Sequence, residues 1–280
     1  MLPSYVLALR EGLEAALIIG IVLGALKKIH RDEYNRFVWY GAVLAGVISI
    51  IAALILNGLG ATFQGVSEQV FEGITMLLAA GVLTWMIFWM QRQAHNIKYA
   101  LEADVRQAAS KNSRRAFFAL AFFAVVREGI ELALFLTAVR FTSDAWQVII
   151  GGLLGLGTAV VIGYLLFATT VRLNLQQFFR VTGILLIFFA AGLVAYGVHE
   201  LIEAGWIPAG IEHVWDINPI IDEKSTLGLI LKALFGYNGD PALVEVIAYV
   251  SYLVIVLIAL WMRSISLKAS QREDQVAQVP

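Results

Sequence analysis

Two five-residue motifs place charge inside otherwise apolar sequence: Arg10-Glu11-Gly12-Leu13-Glu14 and Arg127-Glu128-Gly129-Ile130-Glu131. On a helix, residues three and four apart share a face. Glu11 and Glu14 therefore project to one place, as do Glu128 and Glu131, with Arg10 and Arg127 on the same sides. The chain has no cysteine, so four carboxylates without thiolates make an oxygen-only donor set. Such donors suit hard cations such as ferric iron, manganese, magnesium and calcium, whereas copper(I) and zinc usually recruit sulfur or imidazole. Spacing alone does not choose among the hard ions. Two structural Arg–Glu pairs would need one glutamate per arginine, and each motif has two. The surplus carboxylate points to a multivalent cation.

The elements that must position these groups are membrane helices. Hydrophobic residues make up 60% of the chain and charged residues 15%, against roughly a quarter charged in soluble domains; mean hydropathy is +0.79. A helix needs about 20 apolar residues to cross a bilayer. Seven stretches qualify, near residues 3–26, 37–57, 70–90, 116–139, 146–168, 181–203 and 242–262. They are continuous rather than alternating, which excludes membrane strands. The first stretch is expected to be a helix of the mature protein rather than a signal peptide, because Arg10, Glu11 and Glu14 interrupt what would be its apolar core. Both charged motifs fall about 12–18 Å inside their spans at 1.5 Å per residue. One central charge costs about 2.5–3.5 kcal/mol on insertion scales, so three per helix must face the bundle interior.

The second and fifth spans both carry small residues at every fourth position: Gly41, Ala45, Ser49, Ala53 and Gly151, Gly155, Ala159, Gly163. The third and sixth share Ala79-Ala80-Gly81 and Ala190-Ala191-Gly192. Small-residue stripes alone mean close packing, but together with the doubled charged motif they define a repeat. Three spans per repeat is odd, so the copies run in opposite directions, an arrangement used by transporters. The expected fold is an all-α polytopic membrane protein with seven transmembrane helices: two inverted three-helix repeats plus a C-terminal helix. The expected single domain comprises repeat one (1–92), a cytoplasmic connector (93–115), repeat two (116–204), an outer loop (205–241), helix seven (242–263) and a cytoplasmic tail (264–280). Lys27, Lys28, Arg31, Arg36, Arg92, Lys98, Arg106, Lys111, Arg114, Arg115, Arg172, Arg180, Arg263, Lys268 and Arg272 all fall on one side of this topology. Only Arg140, Lys224 and Lys232 fall on the other. Cytoplasmic loops retain the basic excess, which puts the N-terminus outside and the C-terminus in the cytoplasm. The basic connector is explained by orientation and anionic lipid, not by nucleic acid.

Further polar groups cluster toward the outer side. Glu72 opens the third span, and His199, Glu200 and Glu203 close the sixth, where they offer an accessory path above the central carboxylates. The outer loop holds Glu212, His213, Asp216, Asp222, Glu223 and Asp240, and its Leu227–Phe235 stretch, too short to span, is expected at the interface. A competing class of function is an intramembrane di-iron enzyme, since paired E-x-x-E helices also hold such centres. These commonly add histidine, however, and His30, His95, His199 and His213 lie away from the glutamate motifs. A permease for another hard cation, such as Mn²⁺, remains open on spacing alone.

The doubled R-E-G-[LI]-E, Phe71-Glu72-Gly73, Thr84-Trp85-Met86-Ile87-Phe88-Trp89-Met90, Arg172-Leu173-Asn174-Leu175 and Phe235-Gly236-Tyr237 together resemble the bacterial EfeU-type iron permeases. These belong to the oxidase-dependent iron transporter family, which includes the fungal high-affinity iron permeases. The resemblance covers essentially the whole chain. It implies iron uptake across the bacterial cytoplasmic (inner) membrane, with iron as transported substrate and no tightly bound cofactor. It further implies an extracytoplasmic oxidase or haem peroxidase delivering Fe³⁺, and an iron-binding lipoprotein. By resemblance, Glu11, Glu14, Glu128 and Glu131 are the iron ligands, and Glu203-Ala204-Gly205 also resembles a family pattern.

Overall fold

In lipid, the backbone must satisfy its own hydrogen bonds, and uninterrupted apolar runs do so as helices. The computed structural model describes residues 1–93, 103, 105, 107, 108, 113–168, 175–223 and 225–277. Most of the expected 93–115 connector, and Arg172, Leu173 and Asn174, lie outside them. In chain order the helices are α1 (Leu2–Lys28), a 3₁₀ turn (Asp32–Tyr34), α2 (Asn35–Thr62), α3 (Val66–Gln93) and α4 (Arg114–Thr142). They are followed by α5 (Ala145–Ala168), α6 (Leu175–Glu203), α7 (Thr226–Phe235) and α8 (Leu243–Ala277). No strand occurs among the described residues.

The ends follow local chemistry. Pro3 falls in the first turn of α1, where its missing N–H breaks no helical bond. The Ser113 hydroxyl caps α4 by accepting from Ala116 N at 3.3 Å. Ser225 caps α7 in the same way, accepting from Gly228 N at 3.0 Å. Gly236 closes α7 at φ +66°, with Gly236 N donating to Lys232 O and Tyr237 N to Leu231 O, a left-handed stop that favours glycine.

Among the described residues, five segments are long and apolar enough to cross a membrane: Asp32–Thr62, Val66–Met90, Ala145–Leu166, Gln177–Glu203 and Leu243–Met262. α1 and α4, at 27 and 29 residues, extend about 40 Å at 1.5 Å per residue and have the length to span as well. Their apolar character is broken by the two charged motifs, and that charge is turned inward. Arg10 and Glu11 are each 1% exposed and Glu128 4%.

Packing pairs elements from the two halves of the chain. α1 lies along α5, α2 along α4, and α3 along α6, while α1 and α4 meet each other and α8 packs on α6. The contacts correspond between halves. A Cβ added to Gly12 would stand 2.7 Å from the Ala159 Cβ, and one added to Gly129 would overlap the Ser49 side chain. Likewise Gly151 packs on the Met1 carbonyl and Gly41 on the Phe118 carbonyl. The small-residue stripes thus admit α1 to α5 and α4 to α2 at backbone distance. Leu7, Ala79, Ala80, Phe135, Ala190 and Val256 fill the core between α1, α3, α4, α6 and α8.

One feature departs from the sequence expectation. Backbone helix in α8 continues through the expected tail to Ala277, because nothing in Arg263–Ala277 breaks a helix. α7, whose position relative to the bilayer follows from length alone in the sequence, is packed on α6. Its end packs along α6, with Phe235 5.5 Å from Phe188 between ring centroids and Gly236 against Gly192. Gly192 precedes the end of α6 by 11 residues, about 16 Å of helix. The end of α7 thus meets α6 about three turns inside that helix, and α7 also contacts α1.

Candidate metal site

Where α1 and α4 meet, Glu11, Glu128 and Glu131 each present a carboxylate oxygen within 4.8 Å of the other two. An ion with oxygen ligands at about 2.1–2.6 Å separates opposed ligands by about 4.2–5.2 Å, so three oxygens this close can share one ion. All three residues are buried. Among the described residues, four of their six oxygens meet no nitrogen or hydroxyl donor: both of Glu11, and Oε2 of Glu128 and of Glu131. A buried, unpaired carboxylate is costly, and three converging ones are more so. Charge compensation by a bound cation relieves that cost.

Glu14 stands outside this trio, with its Oε1 3.3 Å from Arg10 Nε. Arg127 Nε donates to Glu131 Oε1 at 2.9 Å. The arginines thus take one glutamate each, as the motif spacing requires, but the two halves differ in what holds the guanidinium. Arg10 Nη2 donates to the Met90 sulfur at 2.8 Å. The Arg127 guanidinium carbon lies 4.3 Å from the Trp89 ring centroid and 5.3 Å from that of Trp85. Both arginines lean on the same end of α3, which itself contributes no carboxylate to the trio.

Glu72 and Glu203 lie apart from the centre, where α3, α6 and α8 come together. Glu203 Oε2 accepts from Gln69 Nε2 at 3.0 Å, and its Oε1 lies 3.2 Å from His199 Nε2. His199 Nδ1 is 2.9 Å from Glu245 Oε1. Glu72 sits among Glu68 and Glu200, with Arg140 as the neighbouring cation. Sequence reasoning missed Glu245, which is 3% exposed and also accepts from Asn238 Nδ2 and Ala242 N. Its one signal was an acid within the apolar run Leu243-Val244-Glu245-Val246-Ile247. In the loop before α8, His213 pairs with Asp240 at 2.8 Å, and this carboxylate holds the imidazole above its usual pKa.

The chain matches the family described as "Iron permease FTR1 family" over residues 1–272. The "Ferrous iron permease EfeU" of Escherichia coli O157:H7 is 36% identical over 263 residues, covering 92% of this chain and 95% of the relative. The protein of the same name from Yersinia pestis is 34% identical over 260 residues, 92% of each chain. The "Putative inactive ferrous iron permease EfeU" of Escherichia coli strain K12 is 36% identical over 263 residues, with 92% and 95% coverage. No solved structure matches the chain.

Proposed function

Because the chain belongs to the iron permease FTR1 family, we propose that it imports iron across the bacterial cytoplasmic membrane through the carboxylates shared by α1 and α4. It is a multi-pass transporter and not an enzyme. The observation that carries the site assignment is the convergence of three buried glutamates from two helices, with four oxygens that meet no nitrogen or hydroxyl donor among the described residues. Glu11, Glu128 and Glu131 hold the ion, while Arg10 retains Glu14. Iron is cargo, and no resident cofactor takes part.

The corresponding contacts of α1 on α5 and α4 on α2 support two inverted repeats, residues 1–92 and 116–204, related across the glutamates. The basic residues then set the N-terminus outside and the C-terminus in the cytoplasm. In that orientation Glu72 and Glu203 lie along the outer approach, and the end of α7 lies beside it. The C-terminal end of α7 carries partial negative charge, the sign that suits a passing cation. An inside-negative potential adds about 2.3 kcal/mol per charge per 100 mV to inward movement.

The relatives are named for ferrous iron, whereas an oxidase-dependent route delivers Fe³⁺. We assign Fe³⁺ as the transported state, produced by an extracytoplasmic oxidase or peroxidase and handed over with an iron-binding lipoprotein. The all-oxygen, sulfur-free donor set supports this. The test is radio-iron uptake by protein reconstituted in liposomes, with Fe²⁺ under reductant and with iron oxidised at the outer face. Uptake that grows with oxidation supports the ferric route. Uptake lost on oxidation keeps the site but makes Fe²⁺ the cargo. Silence toward iron, with manganese uptake by the same vesicles, overturns the assignment.

A further inference from the structure

The aromatic segment of α3 is joined to the glutamate site although it supplies no ligand. Trp85 and Trp89 lie one turn apart with ring centroids 6.4 Å from each other, and the Arg127 guanidinium lies over both. Its other partner is Glu131, at 2.9 Å. Glu131 also belongs to the trio: Arg127 holds its Oε1 and its Oε2 meets no donor among the described residues, so an ion that takes both oxygens displaces the arginine. In the other half, Arg10 pairs with Glu14, which lies outside the trio. The two arginines also differ in freedom, the Arg127 side chain being 32% exposed and that of Arg10 1%. Arg127 has room to move and Arg10 does not.

From this asymmetry we infer that Trp89, assisted by Trp85, is a positioning residue that keeps hold of the Arg127 guanidinium when Glu131 passes to the incoming ion. The indole face attracts a cation without consuming a carboxylate. As iron binds, Arg127 gives up Glu131 and stays over Trp89. On release it returns to Glu131, so the carboxylate is never left uncompensated. Glu131 is accordingly the exchangeable ligand, and Glu14 remains with its arginine. The inference rests on the proposed role of Glu131 in binding iron.

The test compares half-saturation and maximal rate of iron uptake in liposomes for wild type, Trp89→Leu, Trp89→Met and Trp89→Phe, with Glu11→Gln as a control. Loss of a partly desolvated cation–π contact predicts a roughly tenfold rise in half-saturation for Trp89→Leu and Trp89→Met, with maximal rate held within about twofold. Trp89→Phe keeps an aromatic face and recovers most of the affinity. Two non-aromatic variants guard against one failing to fold. An unchanged half-saturation in either folded one overturns the inference. So does a fall in maximal rate alone, without rescue by Trp89→Phe, which marks a merely structural tryptophan. If Glu11→Gln transports normally, the site reading itself fails. If Glu11→Gln is silent and Trp89→Leu is kinetically normal, only the role of Trp89 fails.

Discussion

Iron uptake by a Glu11→Ala, Glu128→Ala variant will fall to the level of protein-free liposomes, while the variant inserts and purifies as well as wild type. Glu11 has both carboxylate oxygens buried without a nitrogen or hydroxyl donor among the described residues, and Glu128 has one. Neither forms an ion pair with Arg10 or Arg127, which take Glu14 and Glu131. Removing these two carboxylates therefore breaks no ion pair, and it relieves like-charge repulsion in a medium of low dielectric, where such repulsion is strong. Folding is unharmed or improved, so lost uptake reports on the ion path alone. Each alanine does open a small cavity, which costs far less than the buried charge it removes. Uptake and size-exclusion behaviour measured on one preparation make the check. Near-normal uptake from well-folded protein rejects the glutamate site.

Arg10→Met will behave in the opposite way, losing stability before it loses anything else. Arg10 is 1% exposed and lies beside Glu14 at 3.3 Å, with Glu11 next to it on the helix. Removing one partner of a buried ion pair typically costs about 3–5 kcal/mol, because the remaining charge is stranded. Thermal unfolding in detergent should show a large drop for Arg10→Met. Adding Glu14→Gln removes the stranded carboxylate and should restore most of the loss. A double variant as unstable as the single one would mean that Arg10 acts through its packing on Met90 rather than through its charge. The pair of variants also separates the two halves. Arg127→Met exposes its partner to a wetter environment, the Arg127 side chain being 32% exposed, and should be the milder lesion.

Much of this arrangement is legible in the sequence because lipid leaves few choices. Continuous apolar runs had to be helices, and all seven expected spans are helical, several overrunning the apolar stretch at polar ends such as Arg114 and Gln177. Surplus glutamates beside Arg10 and Arg127 had to face inward, and they do. What sequence could not supply is which helix meets which. Motif spacing treats Glu14 and Glu131 as equivalents, yet only Glu131 joins Glu11 and Glu128. Trp89 and Met90 belong to the segment that carries the family resemblance, but their contact with the arginines appears only when α3 is placed. Leu227–Phe235 reads as an interfacial segment on length. Its seat on α6 depends on Gly236 meeting Gly192, a long-range contact between two unremarkable glycines. Glu245 looked like one more acid near a helix start, and only tertiary packing encloses it with His199 and Asn238.

The central claim is that Glu11, Glu128 and Glu131 form the iron site while Glu14 stays with Arg10. The most direct test is an iron-binding titration of the purified protein in detergent, beside the four single Glu→Gln variants. The account predicts that Glu11→Gln, Glu128→Gln and Glu131→Gln each weaken binding by at least about tenfold, or 1.4 kcal/mol. Glu14→Gln should stay within about threefold of wild type, less than 1 kcal/mol. Binding lost as fully in Glu14→Gln as in the other three, or retained undiminished in Glu11→Gln, would contradict it.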